Sequence, residues 1–314
     1  MNMDNLNKII LTLGPTCTGK SELSLHLART FGGEIINADS MQVYKHFNIG
    51  TAKPDNVQRG KIPHHLIDIV EPFEEFNAAI FKEKADFSIK DVVNRGKVPI
   101  VVGGTGLYIR VLLYGLFLAP KETGLRKTLT EEYICDPIQF YEELKKVDLE
   151  YALRISFRDR VRVVRAVEVF RLTGVKMSEW GEIHGFREPH YSALKIGLRR
   201  ERNELYSRIN KRVEDMFVAG WIEEVKNILA MGYHGKEKPF LSIGYREILQ
   251  YIKGEINRED MVQDIKKYTR HYAKRQFTWF AREKDINWYA YPEEVNGIES
   301  LASEFLKEWN SSGF

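Results

Sequence analysis

The chain has 314 residues, 43% hydrophobic and 29% charged, an ordinary globular composition that excludes disorder and suits one large domain or two unequal ones. No apolar run approaches the roughly 20 residues of a membrane span, and the polar start Met1–Lys8 carries no secretory signal, so a cytoplasmic protein without membrane association is expected. The net charge of +3 is mild but uneven, with 11 Lys/Arg against 5 Asp/Glu in 151–200 and 7 against 2 in 261–284, which permits a nucleic-acid partner and equally a solvated helix face.

Lys8–Leu13 reads as a buried parallel strand running into a glycine turn, followed by a helix over 21–31 with apolar residues at 23, 25, 27 and 28. Glu34–Asn37 is a short second strand, 80–93 a helix, and Val98–Val102 a third strand ending in Gly103-Gly104-Thr105-Gly106. Strands alternating with helices predict an α/β fold with a parallel sheet. From about residue 119 to 191 the periodicity is helical without convincing strands, with 181–189 loop-like, as in a helical insertion; Leu194–Leu198 then returns to the sheet. The remainder is expected to be mostly helical, over 201–218, 221–230, 242–252, 258–283 and 296–309. The domains are therefore expected as a core of 1–118 with 194–314 and a helical insertion of 119–193.

Gly14-Pro15-Thr16-Cys17-Thr18-Gly19-Lys20-Ser21 is a P-loop between a strand and a helix. Successive backbone N–H groups at a helix N-terminus form an anion nest. Lys20 adds a point charge on the phosphates, and the Ser21 hydroxyl can ligate Mg²⁺. Asp39 follows the second strand at the sheet edge where the P-loop lies, so it can act as a general base or hold Mg²⁺ through water; the alternative is a helix N-cap. Gly103–Gly106 allows either close approach to a ligand or a tight strand-to-helix turn. His64-His65 is no metal pair, because adjacent side chains on a strand diverge. Cys17 and Cys135, the two cysteines, are expected as free thiols of a reducing compartment, and a thiol at 17 exposes the loop to oxidation or alkylation.

Eight segments together resemble the tRNA dimethylallyltransferases, also called tRNA isopentenyltransferases. They are Gly14–Ser21, Asp39–Tyr44, Gly50–Pro54, Pro63–Asp68, Gly103–Tyr108, Arg160–Val169, Ser242–Glu247 and Thr269–Phe280, in the family's order and spanning nearly the whole chain. The resemblance implies a P-loop NTPase-like parallel sheet with flanking helices plus a mainly helical insertion domain that contacts tRNA. It implies transfer of a dimethylallyl group from dimethylallyl diphosphate to the exocyclic amine of the adenosine on the 3′ side of the anticodon, in tRNAs reading codons that begin with U. By the same resemblance Asp39 accepts the amine proton, Thr18 and Lys20 contact the diphosphate, and Ser21 holds Mg²⁺. An arginine of the 201–218 helix reaches the diphosphate, Arg212 being favoured over Arg208. Asp39, Ser40, Met41, Gln42, Thr105, Arg126, Val161, Arg162, Val163, Val164, Arg165, Leu241, Ser242, Ile243, Gly244, Tyr245 and Arg246 match tRNA-contacting positions. Lys267, Arg270, Lys274 and Arg282 recur along one helix face suited to phosphates, with Phe277, Trp279 and Phe280 expected in the core on the other face. Cys17 departs from the alanine usual in bacterial members; the absence of the Cys/His zinc finger of eukaryotic ones implies a bacterial, single-module type, and a monomer is expected. The rival reading is a P-loop kinase of a small molecule or nucleoside, with 119–191 as its lid; a nucleotide-gated RNA-binding module without catalysis is a third.

Overall fold

A computed structural model describes residues 6–116, 119–184 and 188–310. In chain order the elements are β1 (Lys8–Leu13), α1 (Lys20–Phe31), β2 (Gly33–Asn37), α2 (Asn56–Lys61), β3 (His64–His65), α3 (Ala78–Asn94), β4 (Val98–Val102) and α4 (Gly106–Tyr114). Five helices follow: α5 (Thr123–Cys135), α6 (Pro137–Val147), α7 (Leu149–Arg154), α8 (Arg160–Thr173) and α9 (Met177–His184). Then come β5 (Ser192–Leu198), α10 (Arg202–Val218), α11 (Trp221–Ala230), a 3₁₀ turn (Lys238–Leu241), α12 (Tyr245–Ile252), α13 (Arg258–Phe280), β6 (Ile286–Tyr289) and α14 (Val295–Asn310).

The chain forms two compact units, Met1–Leu113 with His190–Phe314, and Tyr114–Pro189. The first holds a six-stranded sheet in the order β3-β2-β4-β1-β5-β6, every pairing parallel. Ile9, Ile10 and Leu11 of β1 and Ile100 and Val101 of β4 are fully buried, as strands covered on both faces require. Thr12 of β1 and Ser24 of α1 share a buried hydroxyl pair at 2.5 Å, pinning the helix that opens after the P-loop to the central strand. The second unit is built from α5–α9 around Leu129, Phe140, Leu144, Val163, Val167 and Val169.

Two short edge strands join the four that the sequence marks out. Two-residue β3 adds His64 and His65 beside Ile35 and Ile36, and β6 adds Ile286–Tyr289 beside β5; edge strands this short carry no legible alternation. The helix expected over 242–252 begins only at Tyr245, behind the 3₁₀ turn, and the one expected over 258–283 stops at Phe280. The loop expected from 181 is helical to His184, while 185–187 lie outside the described residues.

Glu34 of β2 is buried and ion-paired by both guanidinium nitrogens of Arg95, with His65 Nε2 at 2.8 Å. The Arg95 hydrogen bonds hold its carboxyl down at about 2, against burial and with help from His65. A carboxyl whose folded value is depressed stabilises above its unfolded value and loses that contribution as pH falls. The window here runs from 4.5 to about 2. Arg95→Ala leaves the Glu34 carboxylate without its main partner and should destabilise the fold at pH 7, an effect lost as the carboxyl is protonated. Urea unfolding at pH 7 and pH 3 checks this, the gap between variant and wild type narrowing at pH 3.

Candidate active site

Four elements of the first unit deliver the site. The P-loop leaves β1, turns through Cys17 and Gly19 at positive φ (64° and 105°), and feeds its amides into the start of α1. Gly19 is required there because a left-handed residue at a helix N-terminus tolerates no Cβ cheaply. Lys20 Nζ and Thr18 Oγ1 both donate to the Pro15 carbonyl, at 2.6 and 2.9 Å. The two groups that the resemblance assigns to the diphosphate thus converge on one oxygen, and the ammonium retains two further donors. Burial lowers the Lys20 ammonium to about 8; Arg212 acts the same way, while Cys17, Asp39 and Glu22 oppose it.

Arg212 and Arg208 of α10 both reach the loop. Arg212 Nη1 lies 3.5 Å from Thr16 Oγ1 and 3.7 Å from Cys17 Sγ, and Arg208 Nε donates to the Cys17 carbonyl at 3.1 Å. The helix turns them there because Leu205, Ile209 and Val213 bury the adjoining stripe. Cys17 and Cys135 are free thiols.

Asp39 follows the end of β2. Its Oδ1 accepts the Met41 and Gln42 amides at 2.8 and 3.3 Å, an Asx-type turn rather than a helix cap. Among the described residues Oδ2 has no hydrogen-bond partner. Asn37 secures the segment from behind, its Oδ1 accepting the Asp39 amide and its Nδ2 donating to the Leu66 carbonyl. Thr105 Oγ1 accepts the Ser40 amide at 3.2 Å. Burial, reinforced by the Asp39 charge, raises the Tyr272 phenol, which stands against Thr105 and Gln276.

A cavity of about 1050 Å³ joins these parts. Thr16, Cys17, Gly19, Lys20, Ser21, Asp39, Ser40, Met41 and Gln42 line it, together with Arg208, Arg212, Leu241, Ser242, Ile243, Arg246, Tyr272 and Gln276. Gly14, Pro15, Thr18, Thr105, Gly244 and Tyr245 are not among its lining residues; Gly244 and Tyr245 are buried.

The glycines at 103, 104 and 106 make room for protein. A Cβ would stand 2.3 Å from the Ala38 carbonyl, 2.0 Å from Gln276 Nε2 and 2.2 Å from the Trp279 indole, respectively. Close packing of Ala38 and of α13 accounts for the missing Cβ atoms, and Gly103 and Gly104 also line the cavity. The Trp221 indole similarly fills a notch between Gly50 and Gly244, where a Cβ would fall 2.3 and 1.9 Å from the ring. Tyr245 donates to Glu224 at 2.6 Å and accepts the Gly50 amide at 3.1 Å, and Glu224 also takes the Asn48 and Ile49 amides. The segment so fixed presents the Thr51 and Ala52 carbonyls to Gln42 Nε2 at 3.0 and 3.3 Å, leaving the Gln42 oxygen as the free acceptor of that amide. Gly50→Ala should therefore destabilise by about 1–3 kcal/mol through overpacking against Trp221, read as a lowered thermal midpoint.

The remaining expected positions belong to the helical unit. Val163 and Val164 are core residues, so their side chains are unavailable to a partner, contrary to expectation; Val161 and Arg162 are exposed. Arg126 and Arg165 both pair with the fully buried Glu168 at 2.7 Å, and Arg165 also donates to the Ala119 and Pro120 carbonyls. Burial pushes the Glu168 carboxyl up, but the two arginines outweigh it and hold it low. On α13, Phe280 is buried and Trp279 packs on Gly106, whereas Phe277 is half exposed beside Trp288, against the expectation of a core residue. Lys274 and Arg282 line a small cleft with Arg275, Thr278 and Trp279. Arg270 bonds Asn210, and Lys267 lies near Asp264.

Gln276, Tyr272, Trp221 and Glu224 escaped the sequence reading as site residues. For Gln276 a signal exists: it falls in the stripe Met261, Ile265, Ala273, Phe280, so helical spacing places a glutamine on the buried face of α13.

A P-loop, a lysine and a carboxylate facing one cavity at the C-terminal edge of a parallel sheet define a group-transfer enzyme of the P-loop α/β class. The IPP transferase family profile matches residues 42–283, and that of isopentenyl transferase residues 7–62. The chain is 48% identical over 303 residues to tRNA dimethylallyltransferase 2 of Geotalea uraniireducens, covering 95% of this chain and 97% of that one. It is 44% identical over 307 residues to tRNA dimethylallyltransferase of Geobacter metallireducens, covering 97% and 99%. The fold matches the full-length tRNA isopentenylpyrophosphate transferase of Bacillus halodurans with TM-score 0.73 at 33% identity, over 97% and 98% of the two chains. It matches a eukaryotic dimethylallyltransferase acting on tRNA with TM-score 0.76 at 34% identity, over 87% and 70%. The chain belongs to the IPP transferase family, that of the tRNA dimethylallyltransferases. It is a transferase, and among the described residues no helix is long and apolar enough to cross a membrane.

Proposed function

We propose that the protein transfers a dimethylallyl group from dimethylallyl diphosphate to the exocyclic amine of the tRNA adenosine adjoining the anticodon on its 3′ side, releasing diphosphate. The observation that carries this is that the P-loop, Lys20 and Asp39 line one cavity: the loop and lysine suit an anionic leaving group, the carboxylate an amine losing a proton.

The P-loop amides, Lys20 and Arg212 bind the diphosphate and stabilise the charge that builds as the allylic carbon–oxygen bond breaks. The amine nitrogen forms the new bond to that carbon, and its proton passes to Asp39 Oδ2. Gln42, with its amide group turned to Thr51 and Ala52, offers its oxygen to the base's amine, and the adenosine must leave its stack to arrive there. Mg²⁺ suits the donors present: one protein hydroxyl, Ser21, at the cavity wall, with Asp39 on the same cavity, matches an ion that takes few protein ligands and fills its sphere with phosphate oxygens and water. When bound it would neutralise the departing diphosphate. We place tRNA contacts on Asp39–Gln42, Thr105, Leu241–Ile243 and Arg246 of the core, and on Val161, Arg162, Arg126 and Arg165 of the helical unit, 119–193 serving as the tRNA-contacting insertion. The enzyme acts in the cytoplasm as a monomer.

Incubation with Mg²⁺, radiolabelled dimethylallyl diphosphate and an unmodified tRNA that reads a codon beginning with U should pass label to the tRNA. ATP consumption without prenyl transfer would replace this function with that of a kinase.

A further inference from the structure

We infer that Gln276 is a positioning residue that locks the diphosphate loop to the loop facing the acceptor base. The inference rests on the proposed transferase activity and concerns a residue outside the reacting groups.

Gln276 lies on α13 with its side chain buried, and its carboxamide bridges two loops. Oε1 accepts the Thr16 amide of the P-loop at 2.9 Å, and Nε2 donates to the Gly104 carbonyl at 3.0 Å. The partners fix the orientation, because an amide N–H only donates and a carbonyl only accepts. The bridge continues where the backbone pairing ends: β1 and β4 are joined up to the bond from the Gly103 amide to the Thr12 carbonyl, and past that point no backbone bond among the described residues joins the two loops. Beyond Gly104 the connection continues through Thr105 Oγ1 to the Ser40 amide, next to Asp39. Tyr272, one turn earlier on α13, closes the set against Thr105 and Gln276.

One carboxamide therefore sets the separation of the group that holds the leaving phosphates from the group that takes the amine proton. Reaction rates are steep in that separation, an error near 1 Å costing on the order of 10²-fold. Gln276 also occupies the Thr16 amide, and Pro15 has no N–H, so the nest offers its anion the amides from Cys17 onward.

The test uses the full chain with Gln276→Leu and Gln276→Glu, each checked by a thermal melt. Gln276→Leu removes both bonds and should lower kcat about 30-fold, while equilibrium affinities for dimethylallyl diphosphate and for tRNA each stay within about threefold. Gln276→Glu separates alignment from general packing. Its ionised carboxyl can accept from Thr16 but cannot donate to Gly104, whereas its protonated form does both. Burial raises such a carboxyl, so relative to wild type its kcat should recover about fivefold or more as pH falls from about 8 to about 6. A leucine variant with wild-type kcat, a loss wholly explained by weaker binding of one substrate, or a glutamate deficit independent of pH overturns the inference. Should the leucine variant melt below the assay temperature, the glutamate pH profile decides alone. Failure of the wild-type protein to transfer label would overturn the proposed activity instead, a result readily told apart from normal transfer that is indifferent to position 276.

Discussion

Asp39→Asn is expected to lower kcat for prenyl transfer about 10³-fold, within the range a positioned general base contributes. Asparagine is the informative replacement because the turn hangs on Oδ1, which accepts the Met41 and Gln42 amides, and a carboxamide oxygen can do the same. The substitution keeps the loop and removes the basic oxygen, so affinity for tRNA should stay within a few-fold. Asp39→Ala also deletes the turn acceptor and should add a loss of tRNA affinity and of thermal stability. Single-turnover rates and tRNA binding, measured on both variants, separate the two contributions. A kcat for Asp39→Asn within tenfold of wild type would demote Asp39 to a purely structural residue.

Lys20→Ala is expected to reduce kcat/KM by about 10²–10³-fold, the effect of withdrawing one preorganised donor from a developing anion. The lysine carries a pH signature as well. Its ammonium sits at about 8 in the free protein, and a diphosphate binds the charged form. Affinity should therefore hold below about 8 and weaken, by up to about tenfold per pH unit, as pH rises beyond it. Above that point binding should draw in a proton, which calorimetry in buffers of different ionisation heat detects. Lys20→Ala should abolish the uptake and flatten the profile.

The P-loop, the α/β alternation and the position of Asp39 were legible in the sequence because each rests on local chemistry: glycines at fixed spacing, apolar runs of strand length, a carboxylate just after a strand. Arg212 came from the family resemblance rather than from local pattern, and Arg208 shares the loop with it. The short edge strands were not, since two or four residues leave no period to read. Neither was the reason for Gly103–Gly106, because the side chains that need the space, Gln276 and Trp279, are more than 170 residues away in the chain. Val163 and Val164 were not legible as core for a different cause: a motif segment was carried over whole, whereas a helix turns one face of any segment inward, here Val163, Val164 and Val167. The grip of Glu168 on Arg126 lies likewise beyond local pattern, whereas its pairing with Arg165 is an ordinary three-residue helix step.

The Leu113 carbonyl accepts the His190 amide at 2.7 Å, so the chain leaves the core and returns to it at adjacent points. For the sheet, the intervening helices are a closed detour whose two ends are already tied. The entropy of closing a loop grows only logarithmically with its length once its ends are fixed. Residues can therefore be added or lost between 114 and 189 without moving β1 against β5, and the helical unit can change its surface while the phosphate loop and Asp39 keep their distance.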